Sequence, residues 1–472
     1  KVWFIGEDRD APFLEPPKLL PNPTRIELVP LDQAEGIVCT GPFDPLADPA
    51  VFRPQFLLAK QRGLKLLCAN PDIVADKAVS IATEARCGPV HIDVPISVAD
   101  APAESALTPR RVSSSTTVPQ GADLARAREW LAKAERPLAV IGLDVLTQQS
   151  TCVLRAFVEH FSIPFVTTYK AKGVIREDHP LCLGAAGLSP LADQHLLPLV
   201  QEADLVLAIG YDPIEMRPGW QDIWDPARQN VIDIAAVANS HYMHQAGLNF
   251  VADATATLEA MAQGVKSRAT WPEGQPSAIR ANLARAFSDD EDWGPVAVIA
   301  ECRDALPDTT LASVDSGAHP ILLSQMWTCK EPRDLIQSTA LCTMGCAVPM
   351  AIGMKLAEPG RPVVSFSGDA GFLMVAGELA TAAELGTAVI FVVFVDASLA
   401  LIELKQRQRQ MVNRGVDFQR HDFAALGRAF GGNGVTVKTR EELRTALKEA
   451  QKADRFTVIA ASIDAKGYDG RF

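Results

Sequence analysis

Residues 363–399 read VVSFSGDAGFLMVAGELATAAELGTAVIFVVFVDASL. A short apolar run, Val363–Ser367, ends in Gly368-Asp369-Ala370-Gly371. Leu379, Ala382, Ala383 and Leu385 then recur at helical spacing as far as Gly386, and a second apolar run, Ala388–Val395, ends in Asp396. Strand, turn, helix and strand in this order predict a parallel βαβ unit with a crossover helix. Asp369 and Asp396 then stand at the carboxyl ends of two strands, the edge where open α/β sheets bind ligands. Gly368 and Gly371 allow close approach of a ligand to the backbone, and the following helix N-terminus favours an anion. Two hard oxygen ligands beside an anion site suit a divalent cation, most simply Mg²⁺, bridging to a diphosphate. Taken singly, Asp369 reads better as a helix cap and Asp396 as the start of a turn. Their pairing at corresponding strand ends favours the metal.

Composition sets the outer limits. A chain of 472 residues is long enough for about three domains with buried cores. The formal charge of −12 argues against nucleic acid as the main partner. The eight residues of Ala388–Val395 are far too few to span a membrane, and KVWFIGEDRD at the start does not read as a signal peptide. Nine scattered cysteines show no metal-type pairing, and Cys342 and Cys346 sit in an apolar, helix-like run as buried thiols. The expectation is a reduced, cytoplasmic protein.

Residues 101–122, rich in Pro, Ser and Thr, read as a linker, and residues 265–295 mark a second boundary. Between them strands are expected at Pro137–Leu143, Ile163–Thr168, Leu205–Gly210 and Asn230–Ala236, with a helix at Thr151–Phe161. That alternation predicts a doubly wound, Rossmann-like α/β domain over 123–265. Its first turn, Gly142-Leu143-Asp144-Val145, lacks the G-x-G-x-x-G pattern, which favours a structural spacer over a dinucleotide site. In the third segment, 296–472, a strand at Thr310–Val314 leads into Asp315-Ser316-Gly317-Ala318-His319. An imidazole there can donate to phosphate oxygens, but on position alone a solvent-exposed turn histidine is the better reading. Residues 338–349 form a small-residue turn entering an apolar helix. Met344 within it fits either the space beneath a flat ring or an ordinary core position.

Asp315–Trp327, Pro332–Gly353 and Gly368–Ile402 resemble, in order and spacing, the cofactor domain of thiamine diphosphate (ThDP) enzymes, above all the acetolactate synthase-like branch. Arg136–Gly142 and Thr167–Gly187 are similar to that family's middle domain. Gly88–Val98 is similar to the last strand of its pyrimidine-binding domain, whose tail would occupy 78–100. The resemblance implies that Asp369, Asp396 and the carbonyl of Ser398 hold Mg²⁺. It implies that Ala318, His319, Gly368, Ala370 and Gly371 hold the diphosphate, that the Cys342 carbonyl meets the aminopyrimidine, and that Met344 wedges the cofactor into its bent form. The chemistry implied is decarboxylation and carboligation of a small 2-oxo acid, with the cofactor ring as electron sink. ThDP sites normally form between subunits, so a dimer or tetramer is implied. FAD in the middle domain is compatible with the resemblance, but no motif supports it.

The sequence also departs from the family. Ala370 replaces a glycine, and Asp396 replaces an asparagine, which adds negative charge beside metal and diphosphate. Lys405 stands where acetolactate synthases carry a tryptophan. The run Glu403–Gln410 reads as a solvated helix face or as a site for a more acidic substrate. No residue matches the glutamate that activates the aminopyrimidine, so no catalytic residue is assigned and the chain alone is expected to be inactive. Residues 1–77 resemble an internal slice of haloacid dehalogenase (HAD)-type phosphatases, without the D-x-D nucleophile. A non-catalytic fusion product, or a phosphate-binding remnant of that slice, is the alternative function.

Overall fold

The computed structural model describes residues 116–472, apart from 240–242 and 339–341, together with three short strands nearer the amino terminus. The chain divides into two compact units, Lys1–Ser115 and Thr116–Phe472. Strands β1 (Ile37–Cys39), β2 (Leu66–Cys68) and β3 (Ile92–Asp93) form a small parallel sheet in the first unit. The remainder of residues 1–115 lies outside the described residues. The expectations for the HAD-like slice, the pyrimidine-domain tail and most of the linker therefore fall there.

The second unit is α/β and doubly wound. Its first sheet contains β4 (Pro137–Ile141), β5 (Phe165–Thr168), β6 (Cys182–Ala186), β7 (Leu205–Ile209), β8 (Asn230–Ala235) and β9 (Leu248–Val251), all parallel, in the order β6-β5-β4-β7-β8-β9. The second contains β10 (Leu311–Val314), β11 (Leu335–Gln337), β12 (Val363–Gly368), β13 (Ile390–Val395), β14 (Asn433–Val437) and β15 (Thr457–Ser462). It too is parallel throughout, in the order β11-β10-β12-β13-β15-β14. Parallel sheets covered on both faces need strands that are apolar without alternation. IFVVFV of β13 meets that need, with all six residues buried. Successive residues feed opposite layers: Val392 and Phe394 join one core, Phe391, Val393 and Val395 the other. The first sheet divides in the same way, with Ala139 and Ile141 on one face and Leu138 and Val140 on the other.

Two local expectations are corrected, and one is filled in. The crossover between β12 and β13 is two helices, Asp369–Met374 and Glu378–Glu384. The break carries Gly377, a poor helix former, and Val375 packs against the turn at Gly345, where a Cβ would lie 3.0 Å from its side chain. Leu379 and Ala382 are buried there, whereas Ala383 and Leu385 are exposed. Residues 265–295 are not merely a boundary, since Gln275–Ala286 is a helix whose Leu283 joins the core of the first sheet. Cys342 is exposed and Cys346 only partly buried, because Gly345 turns the chain at φ +81° and the apolar helix begins only at Ala347.

Candidate functional site

Strands β10, β12, β13 and β15 run in parallel, so the loops that follow them converge on one edge of the second sheet. Asp315 follows β10, Asp369 follows β12 and Asp396 follows β13. Because β12 and β13 are hydrogen-bonded neighbours, with Gly368 opposite Phe394, the two aspartates leave adjacent strand ends. Both are buried, at 2% and 6% exposure, and both line one cavity of about 110 Å³. Ala318, His319, Met344, Gly368, Ala370, Gly371 and Ser398 line the same cavity. Cys342 does not; it borders a neighbouring cavity with Asp315, Ser316 and Gly317.

The backbone holds Asp369 from two sides. Its Oδ1 accepts the Ala370 N–H at 2.8 Å, and its Oδ2 accepts the Ala397 N–H at 2.7 Å. The second bond holds Ala397 in the left-handed region, φ +59°, which an L-residue adopts only at a cost of roughly 1–2 kcal/mol. Asp396 Oδ1 accepts the Ser398 N–H at 3.0 Å, and its Oδ2 has no hydrogen bond. The Ser398 hydroxyl donates to Asp417 at 2.9 Å, and the Leu399 and Phe418 N–H groups bond across the same bridge. The loop after β13 is therefore pinned at both ends.

Burial raises the pKa of Asp369. Burial, followed by repulsion from Asp369, pushes Asp396 up to about 7. Two carboxylates share a low-dielectric cavity, and among the described residues no Lys or Arg lines it. Arg420 is the nearby counter-charge, but its guanidinium donates to the carbonyls of Val395 and Ile463. The chemistry of this donor set fits a hard divalent cation, which would neutralise the pair and engage the open Asp396 oxygen. Among the described residues no group of three or more His, Cys, Asp or Glu converges, so carbonyls and a bound anion would have to complete such a metal shell.

His319 opens the helix His319–Met326 and is itself buried. Its ring stacks on Phe394, centroids 5.3 Å apart, and Nε2 lies 2.8 Å from Asp315 Oδ1. Tyr468, from the segment after β15, closes part of the cavity, and its phenol pKa is raised by burial and then by Asp396 and Asp369. The sequence reading missed Tyr468, Arg420 and Asp417. The basic run after the second motif stays out of the lining, which takes Leu399–Ile402 but none of Lys405, Arg407 or Arg409. Arg407 is committed to Glu403 and Asp469. In the first sheet Asp144 is buried at the turn after β4, and its carboxylate accepts the Ala236 N–H at 3.4 Å.

Residues 315–461 match the C-terminal TPP binding domain of the thiamine pyrophosphate enzymes, and residues 124–261 match their central domain. The chain carries two domains of the thiamine pyrophosphate enzymes. It is 28% identical to acetolactate synthase of Bacillus subtilis, over 70% of this chain and 59% of that protein. A probable acetolactate synthase large subunit of Methanocaldococcus jannaschii is 29% identical, over 79% of this chain and 66% of its own length. The 3D-(3,5/4)-trihydroxycyclohexane-1,2-dione hydrolase of Geobacillus thermodenitrificans is 25% identical, over 74% and 60%. The chain thus spans about three-fifths to two-thirds of these relatives. Similarity of this degree extends across more than one reaction. Among the described residues no helix is long and apolar enough to cross a membrane.

Proposed function

We propose that the second unit binds thiamine diphosphate with Mg²⁺ at the carboxyl edge of its second sheet, as an acetolactate synthase-like protein of 2-oxo acid chemistry. The observation carrying this reading is the pair Asp369 and Asp396, buried at adjacent strand ends around one cavity. In this proposal Asp369, Asp396 and the Ser398 carbonyl hold the metal. His319, the backbone at Ala318, and Gly368, Ala370 and Gly371 face the diphosphate, while Met344 and the Cys342 carbonyl face the rings. When bound, the cofactor would supply an electron sink for loss of carbon dioxide from a 2-oxo acid. The chain's own part is to fix the anion, hold the metal between two carboxylates, and exclude water with Phe394, Leu399, Leu401 and Tyr468.

No glutamate lines the cavity among the described residues. Activation of the aminopyrimidine would therefore fall to a neighbouring subunit's pyrimidine-binding domain, in a dimer or larger assembly. On this reading the purified chain binds ThDP and Mg²⁺ without turnover and gains activity only when mixed with an intact homologue. The test is calorimetric titration of the full chain with ThDP, with and without Mg²⁺, followed by proton exchange at the cofactor's reactive ring carbon. Saturable Mg²⁺-dependent binding without exchange is expected. No binding at millimolar ThDP and Mg²⁺ would sink the proposal.

A further inference from the structure

One buried carboxylate joins the three loops of this site. Asp315, 4% exposed, has both oxygens engaged. Oδ1 faces His319 Nε2 at 2.8 Å, and Oδ2 accepts the Gly345 N–H at 2.6 Å across thirty residues of chain. Gly371 lies directly against it, since a Cβ there would fall 2.3 Å from Oδ2. The opposite edge of the imidazole is bounded by glycines. Cβ atoms built at Gly317 and Gly368 would lie 2.9 Å and 3.9 Å from Nδ1.

We propose that Asp315 is a positioning residue that keeps His319 protonated on Nε2, turns Nδ1 toward Gly368 and locks the ring to the turn carrying Met344. The inference deepens the thiamine diphosphate reading and rests on it for its ligand. An ionised carboxylate only accepts hydrogen bonds, and the Gly345 amide only donates. Both oxygens of Asp315 therefore demand N–H partners, which assigns the hydrogen on Nε2. A diphosphate is likewise acceptor-only, so the ring meets it only when Nδ1 carries a hydrogen as well, as an imidazolium with Asp315 as the counter-charge behind it. Asparagine cannot reproduce this arrangement. Its single carbonyl satisfies either Gly345 or His319, and its amide then opposes the other N–H or leaves a neutral ring protonated on Nδ1 alone, which meets a diphosphate without the charge that Asp315 supports. Glutamate is too long, because the space beyond Oδ2 is filled by Gly371.

The test uses the full chain labelled with ¹⁵N-histidine, and thiamine diphosphate with Mg²⁺ as the probe. The native His319 resonances should show Nε2 protonated. Asp315→Asn should weaken probe binding by about tenfold, the range of one charge-assisted hydrogen bond. In a His319→Ala background the same change should cost less than about twofold, because Asp315 acts through the ring. The proposal is overturned if native Nε2 is unprotonated, if Asp315→Asn binds normally, or if its loss is as large without His319. Should Asp315→Asn fail to fold, the native spectrum still decides. A wild-type chain that ignores the probe defeats the cofactor reading, while the tautomer measurement judges Asp315 separately.

Discussion

The two six-stranded sheets of the second unit are built alike and finished differently. Both are parallel, both are packed on two faces, and both place an aspartate within three residues of the end of a central strand. In the first sheet Asp144 folds back onto the Ala236 amide, and Gly210 presses on the same turn, where a Cβ would lie 2.8 Å from the Val145 nitrogen. Farther along that edge Tyr211 stacks on His244, with Trp224 beside them. In the second sheet small residues follow the strands, and the aspartates end in a cavity with one carboxylate oxygen open. The strand order offers a crevice in both sheets; the residues after each strand determine whether it stays open.

Substitutions at equivalent places should separate the two edges. Asp369→Ala should abolish Mg²⁺-dependent thermal stabilisation by ThDP, whereas Asp144→Ala should leave that shift intact. Equal losses would erase the distinction. Gly371→Ala drives a methyl into Asp315 and should destabilise the fold by about 1–3 kcal/mol while removing cofactor binding. Gly210→Ala, strained at φ +59°, should cost a similar amount by thermal denaturation yet spare binding once folded.

A pH experiment sharpens the contrast further. Burial and Asp369 raise Asp396 to about 7, so the metal-free native state holds a proton that the unfolded chain releases near the ordinary carboxylate value. The native state then binds more protons between about pH 4 and 7, and stability falls as pH rises through that window. Denaturant midpoints of the metal-free chain should decline across it. Asp396→Asn should flatten that decline and retain Mg²⁺-dependent ThDP binding. An unchanged slope in Asp396→Asn would show that the penalty lies elsewhere. The smallest effect is expected at Ala397→Gly, where relief of the left-handed backbone and the added chain entropy of glycine nearly cancel. Stability should change by less than about 1 kcal/mol.

Much of this was legible in the residues. Apolar runs without alternation announced parallel strands, and carboxylates just beyond two such runs had to emerge at one sheet edge. The match of Asp369 and Asp396 therefore needed only local pattern and one topological rule. Other features depended on contacts that sequence separation hides. Tyr468 reaches the cavity because β15 pairs with β13, and Arg420 comes near it through the bridge between Ser398 and Asp417; nothing near either residue signals these pairings. Asp315 read as a turn residue, because its two partners lie four and thirty positions away. The broken crossover helix escaped as well. Its apolar spacing continues past Val375, while the interruption comes from packing against Gly345.

Ala397 carries a final consequence. Its uncommon backbone geometry is secured by the Asp369 carboxylate, so the same group that would grasp an ion also shapes the neighbouring wall beforehand. The pocket is in this sense pre-tensioned: a guest would arrive at a mould already set, and removing Asp369 would unmake the mould together with the grip.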